Sequence, residues 1–107
     1  MHLNPSIQAY FEADRRGDVE ALIQTFAPHA AVSDEGRSYV GRQAIGAWWR
    51  EAKAKYQHVI EPVRAGGEGD LAEVRARVTG QFPGSPTIMT FAFRLEGGQI
   101  AGLEIGA

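Results

Sequence analysis

The stretch that decides the fold spans residues 10–49 and reads YFEADRRGDVEALIQTFAPHAAVSDEGRSYVGRQAIGAWW. Apolar residues recur there at helical spacing, stop at Gly17, and begin again after Asp18, a residue type that commonly caps helices. A short apolar run then ends at Asp34, and paired tryptophans follow in a third helical pattern. The stretch therefore predicts two amphipathic helices, a short strand over residues 30–33 with an acid at its end, and a third helix.

Beyond Tyr56 the hydrophobic period changes from 3.6 residues to 2, which indicates strands. Glycine- or proline-rich turns separate the segments predicted as strands, which are 57–65, 71–82, 87–95 and 99–105. Helices followed by strands predict an α+β fold, in which three N-terminal helices pack on one face of a curved antiparallel sheet. Because 107 residues suit one core, we expect residues 1–107 to form a single cone-shaped domain.

Composition and charge exclude several classes of function. Eleven Lys and Arg residues against 13 Asp and Glu residues give a net charge of −2, which provides no field for nucleic acid or anionic lipid. The chain has no cysteine, so disulfides, thiol catalysis and thiolate metal sites are excluded. No signal-peptide pattern and no apolar run of about 20 residues is present. We expect a cytoplasmic protein that binds neither nucleic acid nor membrane.

Cofactor and metal sites are not expected either. The three histidines, His2, His29 and His58, are widely spaced and have no cysteine companions, which makes a zinc site improbable. The glycine-rich segment 66–70 lies between two predicted strands and carries two acids, which would repel a phosphate.

A ligand cavity is the natural consequence of this architecture, because a sheet curved over three helices cannot close its core at one end. Such a cavity is apolar and contains a few polar groups. The apolar residues expected to line it are Ile45, Trp49, Val74, Val78, Met89, Phe91, Phe93 and Leu103.

The polar candidates come from a family resemblance. The pattern that carries it is Tyr10…Gly17-Asp18-Val19-Glu20-Ala21-Leu22…Phe26-Ala27…Ala30…Val32-Ser33-Asp34…Gly41…Ala44-Ile45. This pattern resembles the nuclear transport factor 2-like superfamily, and within it the ketosteroid isomerases and SnoaL-like cyclases. The resemblance implies a catalytic pair, with Asp34 as general base and Tyr10 as the donor that binds an oxyanion.

Each member of this pair has a second interpretation. Asp34 at a strand end, backed by Trp49 and Phe93, would be partly desolvated, which raises a carboxyl pKa toward the range useful for a base. The alternative is a solvated turn, because Asp often precedes glycine in turns. Tyr10 is either a carbonyl-binding donor or a core aromatic residue whose hydroxyl bonds a backbone carbonyl.

One departure from the isomerase pattern narrows the chemistry. Phe91 falls where the isomerases place a protonated acid beside the tyrosine. An oxyanion hole that lacks one donor loses about 2.7–4 kcal/mol of transition-state stabilisation. The substitution argues against steroid isomerisation in its usual form. It leaves a weaker enolisation, an aldol-type ring closure as in the SnoaL-like cyclases, or binding alone.

Two functional classes remain open from the sequence. The protein is either a small isomerase or cyclase acting on an apolar carbonyl compound, or a non-catalytic domain that binds an apolar ligand or assists a partner. We also expect a homodimer, because the alternation in the later strands leaves one sheet face free and small residues such as Ala92 would permit close contact.

Overall fold

The computed structural model describes residues 2–107, and it contains three helices and six strands over that range. The helices are α1 (Pro5–Arg16), α2 (Val19–Gln24) and α3 (Arg42–Tyr56). The strands are β1 (Phe26–Asp34), β2 (Arg37–Val40), β3 (Val59–Glu68), β4 (Leu71–Thr79), β5 (Thr87–Glu96) and β6 (Gln99–Gly106). The predicted α+β class, with the helices preceding most of the sheet, is confirmed.

The helix boundaries follow the capping signals in the sequence. Gly17 ends α1 in the left-handed conformation, with φ of 69°, which glycine adopts without a steric cost. The Asp18 side chain then accepts a hydrogen bond of 3.0 Å from the amide of Ala21 and begins α2. These two signals end α1 and begin α2, and only Gly17 and Asp18 lie between the two helices.

The six strands form one sheet in the order β2-β1-β6-β5-β4-β3. Every neighbouring pair is antiparallel except β1 and β6, which run parallel with Val32 opposite Leu103. The expectation of an antiparallel sheet therefore fails at this pair. Helix α3 and four strands separate β1 from β6 in the chain, so no hairpin forces the two strands to run in opposite directions.

Several strand boundaries differ from the sequence prediction, and one strand was not predicted. β1 begins at Phe26, ahead of the predicted residue 30, and an irregularity in its pairing with β6 accommodates Pro28. Glu35 and Gly36 both have positive φ, which makes a two-residue hairpin turn into β2, an edge strand that the sequence pattern did not reveal. β3 continues to Glu68, because its glycines allow the hairpin partner to approach closely.

The core lies between the helices and the concave face of the sheet. Alternate residues of β4, Val74, Ala76 and Val78, are buried there, while the residues between them are exposed. Aromatic rings from α1 pack edge-on against rings of the sheet, with Tyr10 and Phe93 centroids 5.7 Å apart. The core is therefore closed beneath α1.

Candidate functional site

A cavity of about 450 Å³ lies beside this core, between α1, α3 and the sheet. Tyr10 and Asp34 both line it, together with four of the predicted apolar residues, namely Trp49, Val78, Met89 and Phe91. The other four, Ile45, Val74, Phe93 and Leu103, are buried in the core instead. The structure thus brings the two predicted polar residues to one cavity, and it divides the predicted apolar residues between the cavity and the core.

Asp34 is the last residue of β1 and is half-buried. Its Oδ2 accepts a hydrogen bond of 3.0 Å from the Trp48 indole. The sequence pattern instead predicts Trp49 and Phe93 behind this carboxyl group. Burial raises the pKa of the Asp34 carboxyl, the nearby Glu35 charge raises it further, and the bond from Trp48 opposes both effects. The result is a carboxyl with a pKa above its ordinary value, facing an apolar cavity.

Tyr10 lies on α1 and is 1% exposed. Burial raises its pKa well above the ordinary value, and the charges of Asp14 and Asp34 add to the increase. Within residues 2–107, every side-chain nitrogen or oxygen that is shut off from solvent has a hydrogen-bond partner. The Tyr10 hydroxyl has no hydrogen-bond partner among these residues, so it is not shut off from solvent and is open to the cavity that Tyr10 lines. It is a neutral hydroxyl that can donate a hydrogen bond.

A second polar pair, Asp14 and the cavity-lining His58, was not foreseen from the sequence. Asp14, one helical turn after Tyr10, is 2% exposed, and its Oδ2 lies 3.0 Å from Nε2 of His58. The same oxygen accepts a hydrogen bond of 2.8 Å from the Trp49 indole, and Oδ1 lies 3.4 Å from the Lys53 ammonium. Buried Asp14 is therefore surrounded by three donors.

The charge state of Asp14 follows from these contacts. Burial alone would raise its pKa, but the hydrogen bond from His58, the charge that this ring carries when protonated, the hydrogen bond from Trp49 and the Lys53 charge together lower the pKa below the ordinary value. Asp14 is consequently a carboxylate at neutral pH. The only sequence signal for it is the four-residue spacing from Tyr10. His58, its partner, lies between α3 and β3 and contacts it across 44 positions of the chain.

The mouth of the cavity is formed by the loop between β4 and β5 and by the end of α3. The Tyr56 hydroxyl donates a hydrogen bond of 2.8 Å to Glu35, and the Phe82 ring packs edge-on against the Tyr56 ring. The amide of Gln81 donates to the Tyr56 carbonyl at 2.7 Å. A Cβ at Gly80 would lie only 2.7 Å from that same oxygen, so this close approach requires glycine.

The part of the chain that the structure describes contains no group of three or more His, Cys, Asp or Glu side chains arranged to hold a metal ion. Nor is any helix within residues 2–107 long and apolar enough to cross a membrane. The ionisable side chains that line the cavity are those of Asp34, Glu35, Tyr10, Tyr56 and His58.

The family can now be assigned from comparison with known proteins. A family model for the SnoaL-like domain matches residues 7–103, which is nearly the whole chain. The chain belongs to the SnoaL-like family. The SnoaL-like domain is part of the nuclear transport factor 2-like superfamily, as the pattern from Tyr10 to Ile45 indicates. No protein with a curated functional description matches the chain.

Solved structures similar to this SnoaL-like domain are numerous. A candidate polyketide cyclase from Sinorhizobium meliloti is 47% identical, with a TM-score of 0.94 over 96% of this chain and 94% of that chain. A protein with a ketosteroid isomerase-like fold from Catenulispora acidiphila, in complex with trimethylamine, is 22% identical, with a TM-score of 0.86 over 99% and 87%. A computationally designed 17-OHP binder is 16% identical, with a TM-score of 0.81 over 95% and 87%. The last two show the shared fold alone.

Proposed function

We propose that this protein binds an apolar carbonyl compound in the cavity and promotes its enolisation. Asp34 removes a proton from the carbon next to the carbonyl, and the Tyr10 hydroxyl donates a hydrogen bond to the oxygen as it becomes negative. The observation that carries the proposal is that these two residues line one largely apolar cavity. The raised pKa of Asp34 makes its carboxylate a stronger base, and the raised pKa of Tyr10 keeps its hydroxyl protonated and able to donate.

The Asp34 carboxyl suits the role of base for a physical reason. Partial burial raises its pKa and makes the carboxylate a stronger proton acceptor than an exposed one. The Trp48 indole holds one of its oxygens, which fixes the direction of the other. An ordered, partly desolvated carboxylate facing a ligand is the arrangement that proton abstraction needs.

The oxyanion site in this proposal has a single donor. Phe91 lines the cavity and packs against Phe11, with ring centroids 5.4 Å apart, so it supplies apolar surface and no hydrogen bond. Compared with a site of two donors, the loss is about 2.7–4 kcal/mol of transition-state stabilisation. We therefore expect slow turnover and a substrate whose enol forms readily.

The similarity to the candidate polyketide cyclase favours an aldol ring closure as the reaction. In that reaction Asp34 takes a proton from the carbon next to one carbonyl, and the resulting carbanion forms a bond to the carbon of a second carbonyl in the same molecule. The second carbonyl oxygen becomes an alkoxide and takes the proton back from Asp34. No outside reactant is consumed, and the substrate must carry two carbonyls.

A binding role without catalysis is the second candidate. It is favoured by Phe91, since the missing second donor matters to catalysis far more than to binding. The designed 17-OHP binder, which shares the fold, is a protein whose stated role is binding. Under this alternative the Asp34 carboxyl contributes to ligand orientation only.

We further propose that two copies associate through the outer face of β4 and β5. That face includes exposed Leu71 and Ile88 and the smaller Ala92, and an ion pair of 2.7 Å joins Arg77 of β4 to Glu61 of the neighbouring β3. Covering these exposed apolar side chains in a dimer would remove apolar area from water, which favours association. The cavity lies on the opposite face and does not depend on this association.

Hydrogen–deuterium exchange tests the catalytic proposal without knowledge of the natural substrate. The ketone 1-tetralone is incubated with the protein in D2O, and loss of its C2 proton signal is followed by NMR. Each enolisation catalysed by Asp34 replaces that proton with deuterium. We expect exchange faster than in buffer, and a loss of about 10²–10⁴-fold in Asp34→Asn.

Calorimetry on the same variant separates catalysis from binding. Asp34→Asn should keep its affinity for 1-tetralone, because the amide has the same shape as the carboxylate. If the wild type binds the ketone and exchanges its proton no faster than buffer does, the binding-only candidate replaces the catalytic one.

A further inference from the structure

His58 supplies a polar group that the proposed enolisation does not use. Its side chain is 11% exposed, and it lines the cavity on the side of Asp14. Its Nε2 lies 3.0 Å from the Asp14 carboxylate, which can only accept a hydrogen bond, so Nε2 carries the proton. In the neutral ring the other nitrogen, Nδ1, is then an acceptor.

The Nδ1 atom of His58 is accessible to solvent and has no partner within the part of the protein that the structure describes. No hydrogen bond joins it to another group in residues 2–107, and no side-chain nitrogen in that range is both buried and without a partner. Because His58 lines the cavity, the free lone pair of Nδ1 is available to a ligand. The Lys53 ammonium donates to the His58 carbonyl at 2.7 Å and holds this part of the chain in place.

The Tyr10 hydroxyl and Nδ1 of His58 complement each other, because the first can donate a hydrogen bond and the second can accept one. Tyr10 and Asp14 are one turn apart on α1, and both Tyr10 and the His58 ring that contacts Asp14 line the cavity. A ligand that fills the cavity displaces water from both groups, and an acceptor left without a donor then costs affinity. A carbonyl alone would satisfy Tyr10 and leave Nδ1 without a partner.

Charge restricts what the donor can be. The carboxyl groups of Asp34 and Glu35 also line the cavity, so an anionic ligand would be repelled. A neutral hydroxyl donates one hydrogen bond and adds no charge, which fits both the lone pair of Nδ1 and the apolar walls.

We propose that the ligand carries a hydroxyl group in addition to its carbonyl, and that Nδ1 of His58 accepts a hydrogen bond from this hydroxyl. The inference rests on the proposed function, because it places the carbonyl at Tyr10. It narrows the substrate class to neutral hydroxy ketones, and it makes His58 a residue that determines specificity.

Four probes with one carbon skeleton separate the two contacts. Tetralin has neither polar group, 1-tetralone has only the carbonyl, and 5,6,7,8-tetrahydro-1-naphthol and 5,6,7,8-tetrahydro-2-naphthol have only a hydroxyl, at two positions. Affinities are measured by calorimetry at one mildly alkaline pH, which is the same for every variant and probe. The relevant quantity is each affinity divided by that of tetralin for the same variant.

We expect His58→Phe to lower the relative affinity of at least one naphthol roughly two- to tenfold, the value of one hydrogen bond, and to leave that of 1-tetralone unchanged. Tyr10→Phe should do the reverse. If His58→Phe leaves the relative affinities of both naphthols unchanged, the inference about His58 is overturned. If Tyr10→Phe leaves the relative affinity of 1-tetralone unchanged, the placement of the carbonyl in the proposed function fails instead.

NMR of the wild-type protein keeps the inference testable if His58→Phe does not fold. The ¹⁵N resonances of His58 should show a protonated Nε2 and an unprotonated Nδ1. The tetrahydronaphthol that binds more tightly should shift the Nδ1 resonance, and tetralin should shift it much less. A proton on Nδ1 in the free neutral ring, or equal shifts with both compounds, would overturn the assignment.

Discussion

Replacing Asp14 with alanine should destabilise the protein strongly, because this carboxylate joins α1, α3 and the start of β3. The change leaves the Trp49 indole and Nε2 of His58 without an acceptor in a region that water barely reaches. Each buried donor left without a partner costs about 1–3 kcal/mol, so two of them cost about 2–6 kcal/mol. Lys53, whose side chain is 26% exposed, recovers its hydrogen bond from water and adds little.

Urea unfolding followed by tryptophan fluorescence measures this loss. A decrease of about 2–6 kcal/mol would remove a large share of the roughly 5–15 kcal/mol that is typical of domains of this size. Glu20→Ala is the matched control, since Glu20 is an exposed helical acid in a loose pair with Arg50 at 3.6 Å, and it should cost less than about 1 kcal/mol. Equal free energies of unfolding for the two variants would refute the account of the Asp14 cluster.

The pH dependence of stability gives the same cluster a second test. The pKa of Asp14 is lowered in the folded protein, so the unfolded chain binds a proton at Asp14 more readily. The stabilisation by Asp14 is complete above the pKa of an unfolded aspartate, about 3.9, and is lost as pH falls through the lower folded-state pKa. The free energy of unfolding of Asp14→Asn should therefore fall less at acidic pH than that of the wild type. If both proteins lose the same stability as the pH falls, the lowered pKa of Asp14 is contradicted.

Three other predictions concern the oxyanion donor, the proposed assembly and the cavity mouth. Tyr10→Phe should slow deuterium exchange of 1-tetralone about 10²–10³-fold, as the loss of an oxyanion donor does, and an unchanged rate by NMR would remove Tyr10 from the mechanism. Ala92→Arg should halve the mass of the proposed dimer in sedimentation at micromolar concentration, and a wild-type monomer at high concentration would reject the dimer. Gly80→Ala should weaken 1-tetralone binding in calorimetry, because its Cβ would displace the mouth loop from the Tyr56 carbonyl. Gly66→Ala, whose Cβ meets no atom within 4 Å, should not, and equal losses would count against the role of the loop.

The fold was predictable because periodicity reports burial directly. Alternation in β4 and β5 identified the inward residues, and the caps at Gly17 and Asp18 set the helix boundaries. The short strand β2 was not predicted, because its four mostly exposed residues at the sheet edge have no apolar pattern. Local signals therefore determine most elements, but they do not identify a strand that only its neighbour stabilises.

The position of the cavity along the sheet could not be read from the same pattern. Val74 and Val78 share one face of β4, yet only Val78 lines the cavity, because the sheet is open at the end where Val78 pairs with Thr87. Phe91 lines the cavity and Phe93 belongs to the core for the same reason. Alternation distinguishes the inner face from the outer face, whereas curvature decides which end of the inner face stays open.

The polar groups of the site divide in a similar way. Tyr10 and Asp34 were found through the family pattern, which carries information about residues far apart in the chain. Asp14 and His58 are 44 positions apart in the chain. No local sequence pattern predicts their contact, because Asp14 reads as an ordinary helix residue and His58 as an ordinary loop residue. Only the packing of α1 against the start of β3 brings them together.

The pH profile of deuterium exchange tests the role of Asp34 most directly. The rate of exchange at C2 of 1-tetralone is measured by NMR from acid to neutral pH for the wild type and for Asp34→Asn. If Asp34 is the base, the wild-type rate rises as its carboxyl ionises and levels off, with a midpoint above the ordinary value for aspartate, because burial raises its pKa. The variant should lack this rise. An Asp34→Asn protein that remains folded and retains the wild-type profile would contradict the proposal that Asp34 takes the proton.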